Sequence, residues 1–464
     1  MKKYICAVVF IIAAAALRPV LQRELWFDEA LTLLNFVLPL ELGKIYFSYT
    51  IPNNQIVYSI MLKIWDMFYI GYTSITVFWR LLSVISAFGM FAVLLYLNKN
   101  IDKKRSFSAV FVLSAVSLSA VFLNYATALR GYAASWLFIA LSLLGLYNIF
   151  HKKERSGWTV YIISSILAAG TVPTNLLALA AAWLYAVPWM KKEFWLDKRA
   201  YISAMIIPAS LIIFYAPIAG NFLAMFKLGE GFSSRSGAAA ITLGMYVSTF
   251  GLLLFFGLCG VRKPTLQQTM RYLIWILPFI PIYILHRAPF PRVFVTLLPI
   301  LCMLIIDGIF ALTASEKWRN FHRTVFFLII LVSQAAMVLT GAVAAEKCRL
   351  SRYEDDFFHP WYMFPGYKVS ATVEFIKTLP LDKEVFVSFS ADPAPVIFYA
   401  AENALEHKFS SDIPFNSVKT LPHGSIAVLR HDEDPEVYSK RFGGKLKVIH
   451  QTKLHTICEL AAEL

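Results

Sequence analysis

Charge is scarce in this chain. Only 16% of its 464 residues are Asp, Glu, Lys or Arg, where an average soluble domain carries about a quarter. That shortage excludes an ordinary water-facing globular surface. Acidic residues are the scarcer sign, 29 against 43 basic, for a formal net charge of +14. The basic residues fall in short clusters between apolar runs and not on one patch, which argues against a nucleic-acid partner. There is no P-loop, no dinucleotide-binding glycine fingerprint and no metal-ligand spacing, so nucleotide hydrolysis, hydride transfer on a bound dinucleotide and a dedicated metal centre lose their usual signatures. Internal repeats and low-complexity linkers are also missing.

What is present is apolar: 58% of residues are hydrophobic and 15% aromatic, with a mean hydropathy of +0.61. Apolar stretches long enough to cross a bilayer fall at roughly 4–21, 77–97, 107–124, 132–150, 157–172, 174–190, 200–219, 241–260, 270–286, 292–313 and 324–345, about eleven spans. With a cytoplasmic N-terminus, the inside segments hold nineteen Lys and Arg and the outside segments before the tail hold ten, as the positive-inside rule requires. The start, MKKYICAVVFIIAAAALRPV, reads as an uncleaved signal anchor, since no small-x-small cleavage site precedes Arg18-Pro19. The expected fold class is mainly α: a polytopic helical bundle, residues 1–345, with interfacial helices in its first outside loop.

From residue 346 the composition turns polar and aromatic. VEFIKTL and APVIFYAAEN read as helices, and EVFVSFS, SIAVLRH and KLKVIHQTKLHTICEL as strands. This alternation predicts a small extracytoplasmic α/β domain over 346–464. No Ser-His-Asp signature marks it, so it reads first as a lid or an acceptor-docking domain. Cys348 and Cys458 bracket it, and either a disulfide tying its ends or two core thiols would fit.

Candidate chemistry begins directly after the first span, in Arg23-Glu24-Leu25-Trp26-Phe27-Asp28-Glu29-Ala30. Charge beside hydrocarbon is costly and marks function more often than chance, although a solvated face of an interfacial helix would look the same. Arg80 opens the second span, Arg130 sits in a short outside turn, and His286, Arg287 and Arg292 crowd a later one. Read singly, each arginine suits a lipid headgroup contact equally well. Together they form a cationic set opposite the acidic pair, and guanidinium groups grip phosphate bidentately. Asp307, inside the tenth span, is expected to pair or hydrogen-bond locally, and Asp66 to lie on a solvated face.

These pieces resemble the GT-C glycosyltransferases, within them the family 39 group of protein mannosyltransferases and aminoarabinose-type transferases. ELWFDEALT resembles the family's first-loop W-x-D-E-A motif; RLLS at Arg80, NYATALRGYAA with Arg130 and Tyr132, PTNLLALAAAWLY and PRVFVTLLPILCMLI resemble later anchors in the same order. The likeness covers most of 1–345. Departures are Ile51-Pro52-Asn53-Asn54-Gln55 in place of His-Pro-Pro, Thr171-Val172-Pro173-Thr174-Asn175 in place of a threonine-histidine turn, and Val293 after Arg292.

The resemblance implies a membrane glycosyltransferase that moves a hexose or pentose, with inversion, from a polyprenyl-phosphate donor to a lipid, glycan or protein acceptor. It implies a multi-pass protein of the bacterial cytoplasmic membrane with an extracytoplasmic active site. Asp28 and Glu29 take the catalytic positions; Arg130, Arg292, Arg287 and Arg80 the donor phosphate; Trp26, Tyr132, His286 and Asn54 the substrate. No cofactor is required, and a divalent metal remains open. A transporter or lipid flippase, or a surface-polysaccharide ligase or polymerase, is the competing class. A transporter predicts half-to-half symmetry and polar span centres, and the sequence has neither.

Overall fold

The computed structural model describes residues 15–49, 55–71, 74–190, 197–221, 235–259, 269–283, 291–313, 368–412 and 418–461, with single helical residues at 328 and 332. Helix dominates. In chain order come α1 (Phe27–Thr32), α2 (Leu42–Ser48), α3 (Ile56–Asp66), α4 (Ile75–Ile101), α5 (Arg105–Ser117), α6 (Ala120–Thr127), α7 (Tyr132–Tyr147), α8 (Ser156–Thr171), α9 (Asn175–Ala186), α10 (Lys198–Tyr215), α11 (Arg235–Phe250), α12 (Leu253–Cys259), α13 (Leu273–Ile276), α14 (Phe279–Tyr283) and α15 (Leu298–Thr313). Then follow α16 (Ser370–Ile376), β1 (Val385–Val387), α17 (Pro393–Glu402), β2 (Phe409–Ser411), β3 (Ile426–Arg430), α18 (Pro435–Phe442), β4 (Lys445–Gln451) and β5 (His455–Ala461).

The chain divides into two compact units: Met1–Gln22 with Leu40–Gly341, and Arg23–Pro39 with Ala342–Leu464. The second therefore takes in a stretch that the sequence alone groups with residues 1–345.

In the helical unit, α4 runs for 27 residues, roughly 40 Å at 1.5 Å per residue, against a hydrocarbon core of about 30 Å. Among the described residues four helical stretches are long and apolar enough to cross a membrane: Ile75–Ile101, Tyr132–Lys152, Lys198–Asn221 and Phe294–Ala311. Arg105–Ser117 and Val121–Thr127, bent by 78°, make a fifth if counted as one. The bend has a local cause. Ser119 is extended and its hydroxyl accepts the Phe122 N–H at 3.2 Å, starting a fresh helix. The stretch expected to span 270–286 is broken into α13 and α14, with Pro278 and Pro281 falling in the interruption and in α14. The expected spans at 4–21 and 324–345 lie largely outside the described residues.

Helices of this unit approach closely where a side chain is absent. A Cβ on Gly145 in α7 would stand 2.7 Å from the Tyr161 nitrogen of α8, and one on Gly308 in α15 would stand 1.9 Å from the Phe256 carbonyl of α12. Small residues at such crossings let backbones meet in an apolar solvent. Ser142 adds hydrogen bonds to Ser164 and Ser165 across the α7–α8 seam, at 3.1 and 2.9 Å.

Half-buried Asp307 gathers two arginines. Its carboxylate takes Arg105 Nη2, Arg271 Nη1 at 2.8 Å and the Tyr185 hydroxyl at 2.9 Å. Arg105 also donates to Asn98 Oδ1 at 3.1 Å, and the Arg271 guanidinium lies 4.1 Å over the Tyr185 ring. The pairing expected of Asp307 is present, but its partners lie 202 and 36 residues away. Asp66 departs from its expected solvated face: it is half-buried and accepts the Trp79 indole N–H at 2.7 Å, tying α3 to the start of α4.

The second unit contains a five-stranded sheet in the order β2-β1-β3-β5-β4. β1 runs parallel to β2 and β3; β5 runs antiparallel to β3 and β4. The period of two along the strands sorts side chains between two cores. Val385, Val387, Ile426, Val428 and Ile457 join Val373 and Ile376 of α16 and Val396 of α17 on one side. Phe386, Ala427, Leu429, Cys458 and Leu460 meet Phe442 of α18 on the other. The expected α/β character is therefore present. Elements that the residue pattern leaves unannounced are β2, a three-residue edge strand, and α18, whose polar run PEVYSKRF is started by Asp434 accepting the Glu436 N–H at 2.9 Å and stopped by Gly443 at φ 67°. Cys458 is buried in β5; its candidate partner Cys348 lies outside the described residues.

Candidate functional site

The acidic segment is built into the second unit by its neighbours in sequence. Glu24 accepts from the Val369 N–H, from the Ser370 N–H at 3.1 Å and from the Ser370 hydroxyl, at the start of α16. The Leu25 N–H donates to the Tyr399 hydroxyl of α17 at 2.9 Å. Trp26 is only 2% exposed and belongs to the core shared by α16, α17 and the sheet. Phe27 packs edge-on against Phe389, with ring centroids 5.6 Å apart. Four successive residues, Glu24 to Phe27, thus anchor the extended entry and the first residue of α1, whose first turn carries Asp28 and Glu29.

Glu29 is fully buried. Its carboxylate accepts the Trp26 N–H at 3.3 Å, closing the first turn of α1, and stands 3.6 Å from the Arg23 guanidinium. Asp28 is 7% exposed; its backbone carbonyl accepts the Thr32 hydroxyl at 2.8 Å. Of the two expected catalytic carboxylates, Glu29 is engaged in holding the turn together. Trp26, expected at the substrate, packs in the core.

In the helical unit, Arg80 and Arg130 come into one neighbourhood. Arg80 is fully buried on α4 and donates to the Leu21 carbonyl at 2.9 Å. One turn on, the Ser83 hydroxyl bonds the Tyr58 hydroxyl of α3 at 2.7 Å and the Ala128 carbonyl at 2.6 Å. Ala128 opens the α6–α7 turn in which Arg130 lies, 2% exposed. The next residue fixes the turn's shape. The Gly131 N–H donates to Gln55 Oε1 at 2.5 Å, and a Cβ there would fall 2.2 Å from the Thr171 methyl, so any larger residue would have to displace the Thr171 side chain.

Tyr132, the first residue of α7, is buried edge-on to Tyr125 at 4.9 Å, and its hydroxyl finds no hydrogen-bond partner among the described residues. Asn175 Nδ2 donates to Ser135 Oγ and to the Ala168 carbonyl, both at 2.7 Å, joining α7, α8 and α9 below the same turn. The Trp136 indole donates to the Val295 carbonyl at 2.8 Å, drawing the 3-10 segment Pro291–Leu297, which carries Arg292, against α7. Asn54, His286 and Arg287 lie outside the described residues.

Two residues escaped notice in the sequence. Glu24 stands inside the quoted motif, yet its partners are more than 340 residues away, and no local spacing announces them. Gln55, at φ 52°, ends a stretch read only as a departure from a family pattern. As for metals, no group of three or more His, Cys, Asp or Glu able to hold an ion occurs among the described residues.

No family model matches the chain, and no curated protein matches it in sequence. Solved structures do. The crystal structure of ArnT from Cupriavidus metallidurans in the apo state superposes with a TM-score of 0.62 at 12% identity, covering 100% of both chains. The structure of the same protein bound to undecaprenyl phosphate gives 0.61 at 11% identity over 99% of both. At such identity the likeness is one of fold, and it covers the whole chain: the chain has an ArnT-like GT-C fold.

Proposed function

From that architecture, we propose that the protein is a multi-pass membrane glycosyltransferase, crossing the bilayer about eleven times, which transfers a sugar from a polyprenyl-phosphate donor to an acceptor on the extracytoplasmic face. The observation that carries the reading is the full-length likeness to a structure holding undecaprenyl phosphate. Logic of supply favours it too: nucleotide sugars are cytoplasmic, so an outward-facing transferase needs its sugar delivered on a lipid.

The chemistry assigned to the residues is an inverting displacement. The acceptor hydroxyl attacks the anomeric carbon and gives its proton to Asp28 as general base. The bond between that carbon and the phosphate oxygen breaks, and the lipid phosphate leaves with the bonding pair. Arg130 and Arg80, with Arg292 and Arg287, hold that phosphate, which stays ionised and so departs without the acid partner of an ordinary glycosidase. Glu29 keeps the turn under Asp28 in shape. Tyr132, His286 and Asn54 are assigned to the sugar or acceptor.

The test is turnover by the purified full-length protein on a panel of undecaprenyl-phosphate-linked pentoses and hexoses, read as released undecaprenyl phosphate. Asp28→Asn is expected to lower the rate about 10²- to 10⁴-fold, the usual range for a general base, with normal membrane insertion and abundance. A wild-type rate in Asp28→Asn would remove the base assignment. Failure of the whole panel, together with unchanged surface glycans in a deletion strain by mass spectrometry, would remove the transferase.

A further inference from the structure

The acidic motif and the C-terminal α/β fold are separated by more than 300 residues of helical bundle, yet they fold as one unit. Four contacts along four residues do the docking: Glu24 on Val369 and Ser370, Leu25 on Tyr399, Trp26 in the common core, and Phe27 against Phe389. Of these, only the Glu24 contact is made by a charged side chain, with three donors converging on one half-buried carboxylate. Hydrogen bonds to an ionised acceptor are the stronger kind, and they are directional. The Trp26 ring supplies burial, which is not directional. The carboxylate therefore fixes the register in which the segment lies on α16.

We propose that Glu24 is a positioning residue: by latching the first loop onto the start of α16 it makes the C-terminal domain the carrier of Asp28. The inference rests on the reading of Asp28 as the base. On this view the C-terminal domain is not only a lid or docking platform. It sets the height and orientation of the proton acceptor, from an element reached at the other end of the chain. The positioning passes from α16 to Glu24 and along the backbone to the first turn of α1, where Glu29 and the Trp26 N–H close the turn that presents residue 28.

The experiment uses the full-length protein in detergent with two readouts. One is hydrogen exchange of the segments 369–376 and 25–32, which needs no substrate. The other is steady-state release of undecaprenyl phosphate from whichever member of the donor panel is turned over. Glu24→Ala is expected to speed exchange in both segments and to lower kcat at least tenfold, with the donor KM within twofold of wild type. Ser370→Ala is expected to do the same more weakly, and the double variant to be no worse than Glu24→Ala alone, because both remove one latch. Glu24→Gln, which keeps an acceptor oxygen, is expected to recover part of the rate and stands in if Glu24→Ala does not fold.

Faster exchange with unchanged kcat would overturn the positioning role, and unchanged exchange would overturn the latch itself. Additive effects of the two substitutions would also count against a shared latch. A full rate in Asp28→Asn would instead fail the base assignment while leaving the exchange result standing, so the two ideas are separable.

Discussion

The two units hold their buried and half-buried acidic groups by different means. In the helical unit Asp307 is held by two arginines and a tyrosine, all side chains from other parts of the bundle. In the sheet unit Glu24, Glu29 and Glu433 each take a backbone N–H: from Val369 and Ser370, from Trp26, and from Arg430 at 2.7 Å. The difference follows from the backbone. Inside a long helix every N–H is already committed to the carbonyl four residues back, and free N–H groups exist only at starts. A carboxylate among packed helices must therefore be met by side-chain donors, two arginines and a tyrosine at Asp307 and the Trp79 indole at Asp66. A small α/β fold is rich in turns and helix starts, and these offer N–H groups wherever a strand ends.

The contrast can be broken by substitution. Asp307→Ala leaves the buried Arg105 and the half-buried Arg271 without their shared anion and is expected to cost up to about 3–5 kcal/mol, the value for a fully buried pair, seen as a lower midpoint of thermal unfolding in detergent. A loss under about 1 kcal/mol, the level of an exposed pair, would mean that the arginines reach water and that the helical unit does not depend on the pairing. Trp26→Ala is the matching cut in the sheet unit, expected to cost about 3–5 kcal/mol by loss of a buried aromatic. It should raise exchange in the α16 and α17 peptides while the α7 and α8 peptides keep their protection. Protection lost equally in both units would show that they do not unfold separately.

Smaller effects sharpen the division of labour. Arg130→Ala is expected to weaken binding of undecaprenyl phosphate about ten- to a hundredfold, the range for one hydrogen bond to a charged group, by direct titration. It should leave sheet-unit exchange untouched. Smallest, per unit step of pH, is an effect confined to the second unit. His455 is buried, with Nδ1 2.8 Å from the Thr372 hydroxyl, and burial pushes its imidazole down to about 3 despite a hydrogen bond to the Ala391 backbone. The unfolded imidazole titrates near 6.5, so between about 6.5 and 3 the unfolded state binds the extra proton. Stability of this unit should then fall as pH drops below about 6.5, by at most about 1.4 kcal/mol per pH unit, and His455→Gln should flatten that slope.

Much of the helical unit was legible because hydropathy is a local property. Ile75–Ile101, Tyr132–Lys152, Lys198–Asn221 and Phe294–Ala311 coincide with expected spans. Proline explains why 270–286 broke, and a serine cap explains the bend before α6. Strands β1, β3 and β5 were visible in their apolar runs; β2 and α18 were not, because an edge strand of three residues and a polar helix bury too little to leave a pattern.

For the site, residue type pointed to the acidic pair and the arginines, since charge at a membrane edge is expensive enough to stand out. What the composition and order of residues decided alone is the class: an apolar helical chain with a polar α/β tail and a motif of rare acids near its start. Only the tertiary structure decided that Glu24 and Trp26 belong to the tail's fold, that Glu29 closes a turn, and that Arg80 and Arg130 share a neighbourhood through Ser83 and Ala128. The physical reason is range. Hydropathy and capping are set by residues within a few positions, whereas the partner of a buried carboxylate is whichever donor the folded chain brings to it, here from more than 300 positions away.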